Sequence, residues 1–259
     1  MSALPATDPR LRCCVVVPAH EEEELVGACL TALAGQVDLG PGELEMLLVL
    51  DDCTDRTTER ALAAAAVSAV PLHLLESAER GVGAARRAGM DAAGDRLLSL
   101  GRPGGLIACT DADSVVAPDW VAAQLVAAER GAKAIGGRIE LGAADREALG
   151  PAVMADRSHR ARRRHSSLLA STTPAGSTFE HWQFSGASMA VTAETYRRVG
   201  GIAPDPALED EAFEHALHSA GIAIERSLAV RVTTSARLEG RAPAGLAHDL
   251  ALAVRRRRG

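Results

Sequence analysis

The feature that most constrains this chain is the strict alternation of strand and helix patterns across residues 13–130. Residues 13–17 are an apolar, Val-rich run stopped by Pro18, the pattern of a buried strand. Residues 21–34 read as a helix with an acidic first turn, and Leu25, Cys29, Leu30 and Leu33 fall on one face. Strands at 46–50, 71–75 and 106–109 then alternate with helices at 56–67, 81–93 and 118–130. Such alternation builds an α/β fold, a mainly parallel sheet with helices on both faces. Sheets of this kind bind ligands beyond the carboxyl ends of their strands. Three polar clusters sit there: Pro18-Ala19-His20, Asp51-Asp52 and Asp111-Ala112-Asp113.

The second half is less regular. A strand over 132–141 carries a Gly136-Gly137 break, and a helix over 145–170 carries a basic run at 157–165. A Ser/Thr/Pro/Gly loop follows at 171–177, then a strand at 184–191 and a short helix at 193–199. A helix over 208–220 ends at Gly221, residues 222–232 are extended, and a helix over 243–258 has a basic end. With no repeat or low-complexity linker, residues 1–259 are expected to pack as a single domain with a smaller mixed region in the second half.

Composition narrows the function. The net charge is −6 and the aromatics are three Phe, two Trp and one Tyr, which argues against a nucleic-acid partner. Five cysteines, with no C-x-x-C pair and no targeting core before them, read as free thiols of a cytoplasmic protein. The most apolar stretch, residues 61–75, is too short and interrupted to span a bilayer. The terminal Arg255–Arg258 run allows at most weak contact with an anionic membrane surface, and a frayed, solvated end is the simpler reading.

Several residues could carry chemistry. Two carboxylates at Asp111 and Asp113, after a buried strand, repel unless a cation lies between them, and hard ions such as Mg²⁺ or Mn²⁺ favour oxygen ligands. A turn or a helix cap by Asp113 or Ser114 is the structural alternative. Asp51 can accept a hydrogen bond from a base or ribose, or form a turn with Thr54 or Asp55 capping the next helix. Gly83 allows close approach of a helix start to the sheet and leaves Arg86 free to meet a phosphate. Glu209-Asp210-Glu211 suits a helix N-terminus and equally a general base. Arg237 and Arg241, four apart in a Gly- and Pro-flanked segment, suit a diphosphate clamp or a solvated loop.

The segments VVVPAHEEEE, LLVLDDCTDRT, GVGAARRAG, CTDADS, FSGASMAVTAETYRRVGGI and LEDEAFEHAL together resemble, in order, those of family 2 glycosyltransferases, enzymes of the GT-A fold. The resemblance spans residues 13–220. It implies a nucleotide-binding half at 12–130 and an acceptor-binding half at 131–259. Pro18, Ala19, His20 and Glu22 would line the nucleotide pocket, Asp51 would contact the base, and Arg86 would lie near nucleotide or diphosphate. Asp111 would contact ribose or metal, and Asp113 would be the principal metal ligand. Ser185, Gly186 and Ala187 would face the donor sugar, and Asp210 would be the catalytic base, with Glu209 or Glu211 as fallbacks. Arg237 and Arg241 would close over the diphosphate.

The implied activity is metal-dependent inverting transfer of a hexose from a UDP- or GDP-linked donor to an acceptor hydroxyl. The chain departs from the family's processive members, which carry a Q-x-x-R-W motif and transmembrane helices. His20 stands where many members have Asn, and the stretch from Gly94 to Gly105 is longer than usual. A sugar nucleotidyltransferase would need a Gly-rich basic loop where PAHEEEE stands, and a non-catalytic binding module would not need Asp113 and Asp210. Trp182 and Phe184 flank the donor segment; Trp182 is the candidate acceptor platform, with simple core filling as the alternative.

Overall fold

The computed structural model describes residues 4–205, 207–240 and 245–258. In chain order the elements are β1 (Cys13–Ala19), α1 (Val26–Ala34), β2 (Leu44–Leu50), α2 (Thr57–Ala65), β3 (Leu72–Glu76), α3 (Val82–Ser99), β4 (Leu106–Cys109) and β5 (Ser114–Val116). Then come α4 (Trp120–Glu129), β6 (Ala134–Leu141), α5 (Ala143–Ala170), β7 (Thr178–Phe179), β8 (Met189–Thr192), α6 (Ala193–Arg198), α7 (Glu209–Ser219), β9 (Ile224–Thr234) and α8 (Leu246–Arg258).

Among the described residues the strands form one mixed sheet in the order β3-β2-β1-β4-β8-β6-β9-β5, with β7 added along β9. β3, β2, β1 and β4 are mutually parallel, with Val15 opposite Met46 on one side and Ala108 on the other. β8 runs antiparallel between β4 and β6, so its first residue, Met189, faces Cys109, the last of β4. That reversal brings the 185–188 loop to the carboxyl end of β4. β5, from the first half, pairs with β9 at the far edge, so the sheet is continuous through the two expected halves.

Every residue of β1 is buried, and alternation divides them between two apolar layers. Cys13, Val15 and Val17 pack with Val26, Cys29, Leu30 and Leu33 of α1 and with Trp120, Val121 and Leu125 of α4. Cys14 and Val16 pack with Ala85, Met90 and Leu97 of α3, Tyr196 of α6 and Phe213 and Leu217 of α7. α3 lies close on the sheet because of Gly89, where a Cβ would come within 2.4 Å of Val16 and 2.8 Å of Val49. Gly83, expected to make that approach, instead backs onto the carbonyl of Asp205, 2.0 Å from where its Cβ would stand.

Several boundaries differ from expectation. α1 starts at Val26 rather than at residue 21, because Glu21 is left-handed (φ 53°) and the acidic side chains before the helix are engaged elsewhere. Glu21 accepts from the Thr54 N–H at 2.6 Å and Glu23 from the Arg56 N–H at 3.1 Å, both just before α2. α3 continues past Ala93 to Ser99, so the first part of the stretch from Gly94 to Gly105 is helix rather than loop. The extension carries Arg96 onto Glu45, which accepts from its Nη2 at 2.6 Å. The strand expected at 184–191 is reduced to β8, and residues 185–188 form a tight loop closed by a Ser185–Ser188 bridge. α5 is two helical segments joined at Gly150 (φ 76°, ψ 161°), followed by Pro151.

Candidate active site

The cleft is built at the carboxyl ends of β1, β2 and β4. Both β1 and β2 run straight into left-handed residues, Glu21 (φ 53°) and Asp52 (φ 49°), conformations of the sort that gather at functional sites. Asp51, directly after β2, is buried. Its Oδ2 accepts from the Gly81 N–H at 2.9 Å, while its Oδ1 is buried with no partner among the described residues. A buried acceptor without a donor carries an uncompensated desolvation cost, which a ligand N–H would relieve. His20 donates through Nδ1 to the carbonyl of Asp51, tying the ends of β1 and β2 together.

Asp111 and Asp113 leave β4 and point to different partners. Asp113 Oδ1 lies 3.3 Å from the Ser114 hydroxyl and 3.4 Å from that of Thr234, so β5 and β9 hold it from the side. Its Oδ2 lies 2.9 Å from Arg237. Burial pushes the Asp113 carboxyl up to about 6, with Asp111 and Glu22 adding to the rise and Arg237 opposing it. Four carboxylates, Glu22, Asp111, Asp113 and Glu209, here share two guanidiniums, Arg86 and Arg237. Neither Asp113 nor Ser114 caps α4, whose N-cap residue Asp119 makes no side-chain cap bond.

Asp111 meets Arg86, which is 2% exposed and connects three segments. Arg86 donates from Nη2 to Asp111 at 2.9 Å, from Nη1 to the Gly186 carbonyl at 3.2 Å and from Nε to Glu209 at 3.0 Å. Burial alone would lower its pKa, but Asp111 and Glu209 outweigh it and the guanidinium is held charged. The residue expected beside the nucleotide is therefore engaged by protein oxygens. A Cβ at Gly186 would lie 2.3 Å from Arg86 Nη2, so a larger residue there would displace the guanidinium from its partners.

The other end of this network is the start of α7. Leu208 is left-handed (φ 61°) and turns the chain so that Glu209 and Asp210 open the helix. Glu209 is buried against Arg86. Asp210 is only half-buried; its Oδ2 accepts from the Gly186 N–H at 3.1 Å and its Oδ1 from the Glu211 N–H at 2.9 Å. Burial raises the Asp210 pKa against the opposing Arg86 and these two N–H donors. Glu211 is exposed. Of the three carboxylates, Asp210 combines access to the cleft with raised proton affinity.

Ser185, Gly186 and Ala187 lie in the loop between Asp210 and β4; the Thr110 hydroxyl donates to the Ala187 carbonyl at 3.0 Å. Trp182 is half-buried, with the Arg164 guanidinium 4.7 Å from its ring centroid. Phe184 is a core residue stacked on Phe213 at 6.3 Å. Glu22, expected at the nucleotide, accepts from both terminal nitrogens of Arg237, at 2.6 and 2.8 Å. Arg241 lies outside the described residues, as do the side chains of Arg256, Arg257 and Arg258. Thr234, which steadies Asp113, was not foreseen; it is 121 residues away in sequence, and no local pattern marks it.

Pro18 and Ala19 complete the β1 edge of this cleft, and both are fully buried. A separate surface groove between α1 and α2, lined by Glu23, Gly27, Arg56 and Arg60, contains none of these residues.

Comparison with known proteins identifies the family and the fold. The profile of Glycosyl transferase family 2 matches residues 14–191. Comparison with curated proteins gives no significant match. Among solved structures, a mannosyltransferase from Pyrobaculum calidifontis in complex with GDP-Man and Mn²⁺ superposes with a TM-score of 0.65 at 22% identity. That match covers 91% of this chain and 60% of the other, so the chain spans less than two thirds of that relative's length. TarS 1–349 from S. aureus in complex with UDP-GlcNAc gives 0.65 at 14% identity, over 94% and 65% of the two chains. Glucosyl-3-phosphoglycerate synthase from Mycobacterium tuberculosis, with Mn²⁺, UDP-Glc and phosphoglyceric acid, gives 0.55 at 16% identity, over 95% and 76%. These likenesses establish the GT-A fold, and the profile match covers well over half of the sequence. The chain belongs to glycosyl transferase family 2.

Proposed function

We propose that this chain transfers a hexose from a UDP- or GDP-linked donor to an acceptor hydroxyl with inversion, using a divalent cation and Asp210 as general base. One observation carries the reading: a continuous set of contacts runs from Asp111 through Arg86 and Gly186 to Asp210, so the cation edge and the base edge of the cleft are fixed relative to each other. The related structures with GDP-Man, UDP-GlcNAc and UDP-Glc support the donor class.

The residues suit a hard cation. Asp113 and Asp111 are oxygen donors, and with Glu22 and Glu209 they outnumber the two guanidiniums they contact, Arg86 and Arg237. Among the described residues no three His, Cys, Asp or Glu side chains are grouped to hold a metal unaided. A Mg²⁺- or Mn²⁺-type site made of one or two carboxylates plus substrate phosphates needs no such group. The cation would neutralise charge on the departing diphosphate.

The chain's own residues supply the rest. Asp51 Oδ1 accepts an N–H of the base, and His20, Pro18 and Ala19 shape the pocket around it. The 185–187 loop borders the donor sugar, and Trp182 serves as the acceptor platform. Asp210 removes the proton of the acceptor hydroxyl as that oxygen attacks the anomeric carbon from the side opposite the leaving group. Transition states of this kind have oxocarbenium character, as in glycoside hydrolysis.

The test is a thermal-shift and transfer panel of UDP- and GDP-sugars with Mn²⁺, since a ligand that binds the folded state raises stability by mass action. Asp210→Asn should keep donor binding and lose transfer by ~10² or more. Asp113→Ala should lose both. Absence of binding to every nucleotide sugar in the presence of Mn²⁺ refutes the reading, and loss of donor binding in Asp210→Asn moves the base elsewhere. No helix of the described residues is long and apolar enough to cross a membrane.

A further inference from the structure

Arg237 occupies an unusual position. Its Nη2 lies 2.6 Å from Glu22 and 2.9 Å from Asp113, so one nitrogen bridges carboxylates from the β1 and β4 ends of the cleft. Nη1 donates to the second oxygen of Glu22 at 2.8 Å, which makes that contact bidentate. Glu22 and Asp113 are buried, at 6% and 12% side-chain exposure, and Arg237 is 24% exposed. The segment is anchored just upstream: the Ser235 N–H donates to the Asp113 carbonyl at 3.2 Å, and the Arg237 N–H to the Ser235 hydroxyl at 3.2 Å. Burial disfavours a charged guanidinium here, and Glu22, Asp113 and Asp111 more than offset that cost.

We propose that Arg237 is a built-in placeholder for the divalent cation. In the nucleotide-free chain its guanidinium takes the space between Glu22 and Asp113 and supplies the positive charge that the pocket demands. A divalent ion that engages Asp113 must displace it. A diphosphate gives the displaced guanidinium a new charged partner in place of its carboxylates, because its planar fork fits phosphate oxygens as well as it fits a carboxylate. Cation and nucleotide therefore bind with positive coupling: each is weak alone, and each strengthens the other by the same factor. A cation alone would part a half-buried arginine from both of its carboxylate acceptors, and a nucleotide alone would draw Arg237 away and leave Glu22 and Asp113 facing each other. The contact keeps Asp113 covered until the donor arrives. This rests on the reading under Proposed function that a cation and a diphosphate share the cleft.

The test is a titration of the full chain with Mn²⁺, following free Mn²⁺ by electron paramagnetic resonance, without nucleotide and with saturating UDP or GDP. The wild type should bind Mn²⁺ weakly alone and much more tightly with one nucleoside diphosphate. Arg237→Gln should bind Mn²⁺ alone about tenfold more tightly or better, a gain of ~1.4 kcal/mol, and its coupling to nucleotide should shrink by the same factor. Arg237→Lys keeps the positive charge and protects the test against a misfolded glutamine variant; it should stay close to wild type. Unchanged or weaker nucleotide-free Mn²⁺ binding in a folded Arg237→Gln overturns the placeholder, as does a gain in Arg237→Lys equal to that in Arg237→Gln. If the wild type fails to bind Mn²⁺ even with UDP or GDP, the glycosyltransferase reading itself falls. The two failures are thus separable.

Discussion

Replacing Arg86 with methionine tests whether the Asp111–Arg86–Glu209 network organises the cleft. Methionine matches much of the aliphatic stem, so the substitution chiefly removes charge and hydrogen bonds. The loss is unequal across the three partners. Asp111 is 35% exposed and can take water in place of the guanidinium, so its share is small. The Gly186 carbonyl loses one neutral acceptor contact, worth about 1 kcal/mol. Glu209 is 6% exposed and loses its cationic partner. Removing one member of a buried ion pair costs about 3–5 kcal/mol. The expected loss is therefore about 4 kcal/mol, set mostly by Glu209. With a urea slope near ~3 kcal/mol/M for a chain of this size, the unfolding midpoint should fall by about 1–1.5 M at unchanged slope. Adding Glu209→Gln should restore a large part, because the uncompensated charge is then gone; a double-mutant cycle should give a coupling of about 1–3 kcal/mol. A midpoint shift equivalent to less than ~1 kcal/mol, or additive single variants, would refute the network.

Three further outcomes are expected. Gly89→Ala gains ~1 kcal/mol of helix propensity but drives a methyl into Val16 and Val49; overpacking costs about 1–3 kcal/mol, so urea melts should show a net loss, and a stabilised variant would contradict the packing. Glu45 is buried, and the hydrogen bonds of Arg96, His73 and Cys14 overcome the cost of burial and hold its carboxyl down to about 2. Its folded-state pKa is depressed, so its contribution is present above the unfolded value near ~4.3 and is lost as pH falls through about 2. Wild type should accordingly exceed Glu45→Gln in stability at pH 7, with the gap narrowing steadily in melts below pH 4; a gap independent of pH would rule this out. Trp182→Ala should raise the acceptor KM with little change in Tm, since Trp182 is only half-buried and lies outside the two apolar layers; a large fall in Tm with unchanged KM would make it a packing residue.

The parallel half of the sheet was legible because its signals are local. β4 falls on the expected residues 106–109, where an apolar run ends at a polar Thr-Asp pair. The helix expected over 81–93 runs on through Gly94 to Ser99; a Cβ at Gly94 would sit 3.4 Å from Ile107, so this glycine faces the sheet inside the helix and does not end it. The acidic run after β1 misled because Glu21 and Glu23 serve the approach to α2, about thirty residues on, rather than their own helix. β5 and β7 are three and two residues long, too short for any period to show. In the cleft, Asp51, Asp111, Asp113 and Asp210 stood out because each lies at an element end. Their partnerships did not: Arg86 meets Glu209 across 123 residues and Arg237 meets Glu22 across 215. Such pairs depend on strand order, which no local window contains.

The strand order also dictates when the cleft can exist. β5 begins two residues after Ala112, but it pairs with β9, and Ser114 and Thr234 are 120 residues apart. At a synthesis rate of 5–20 residues per second, the segment carrying Asp111 and Asp113 leaves the ribosome about 6–24 s before its partner strand has been made. Through that interval β1, β2 and β4 can already associate, while Asp113 lacks Thr234 and Arg237. The acidic pocket is therefore among the last parts of the molecule to be completed, and a nascent chain has its nucleotide-facing strands well before it has a closed site for a cation.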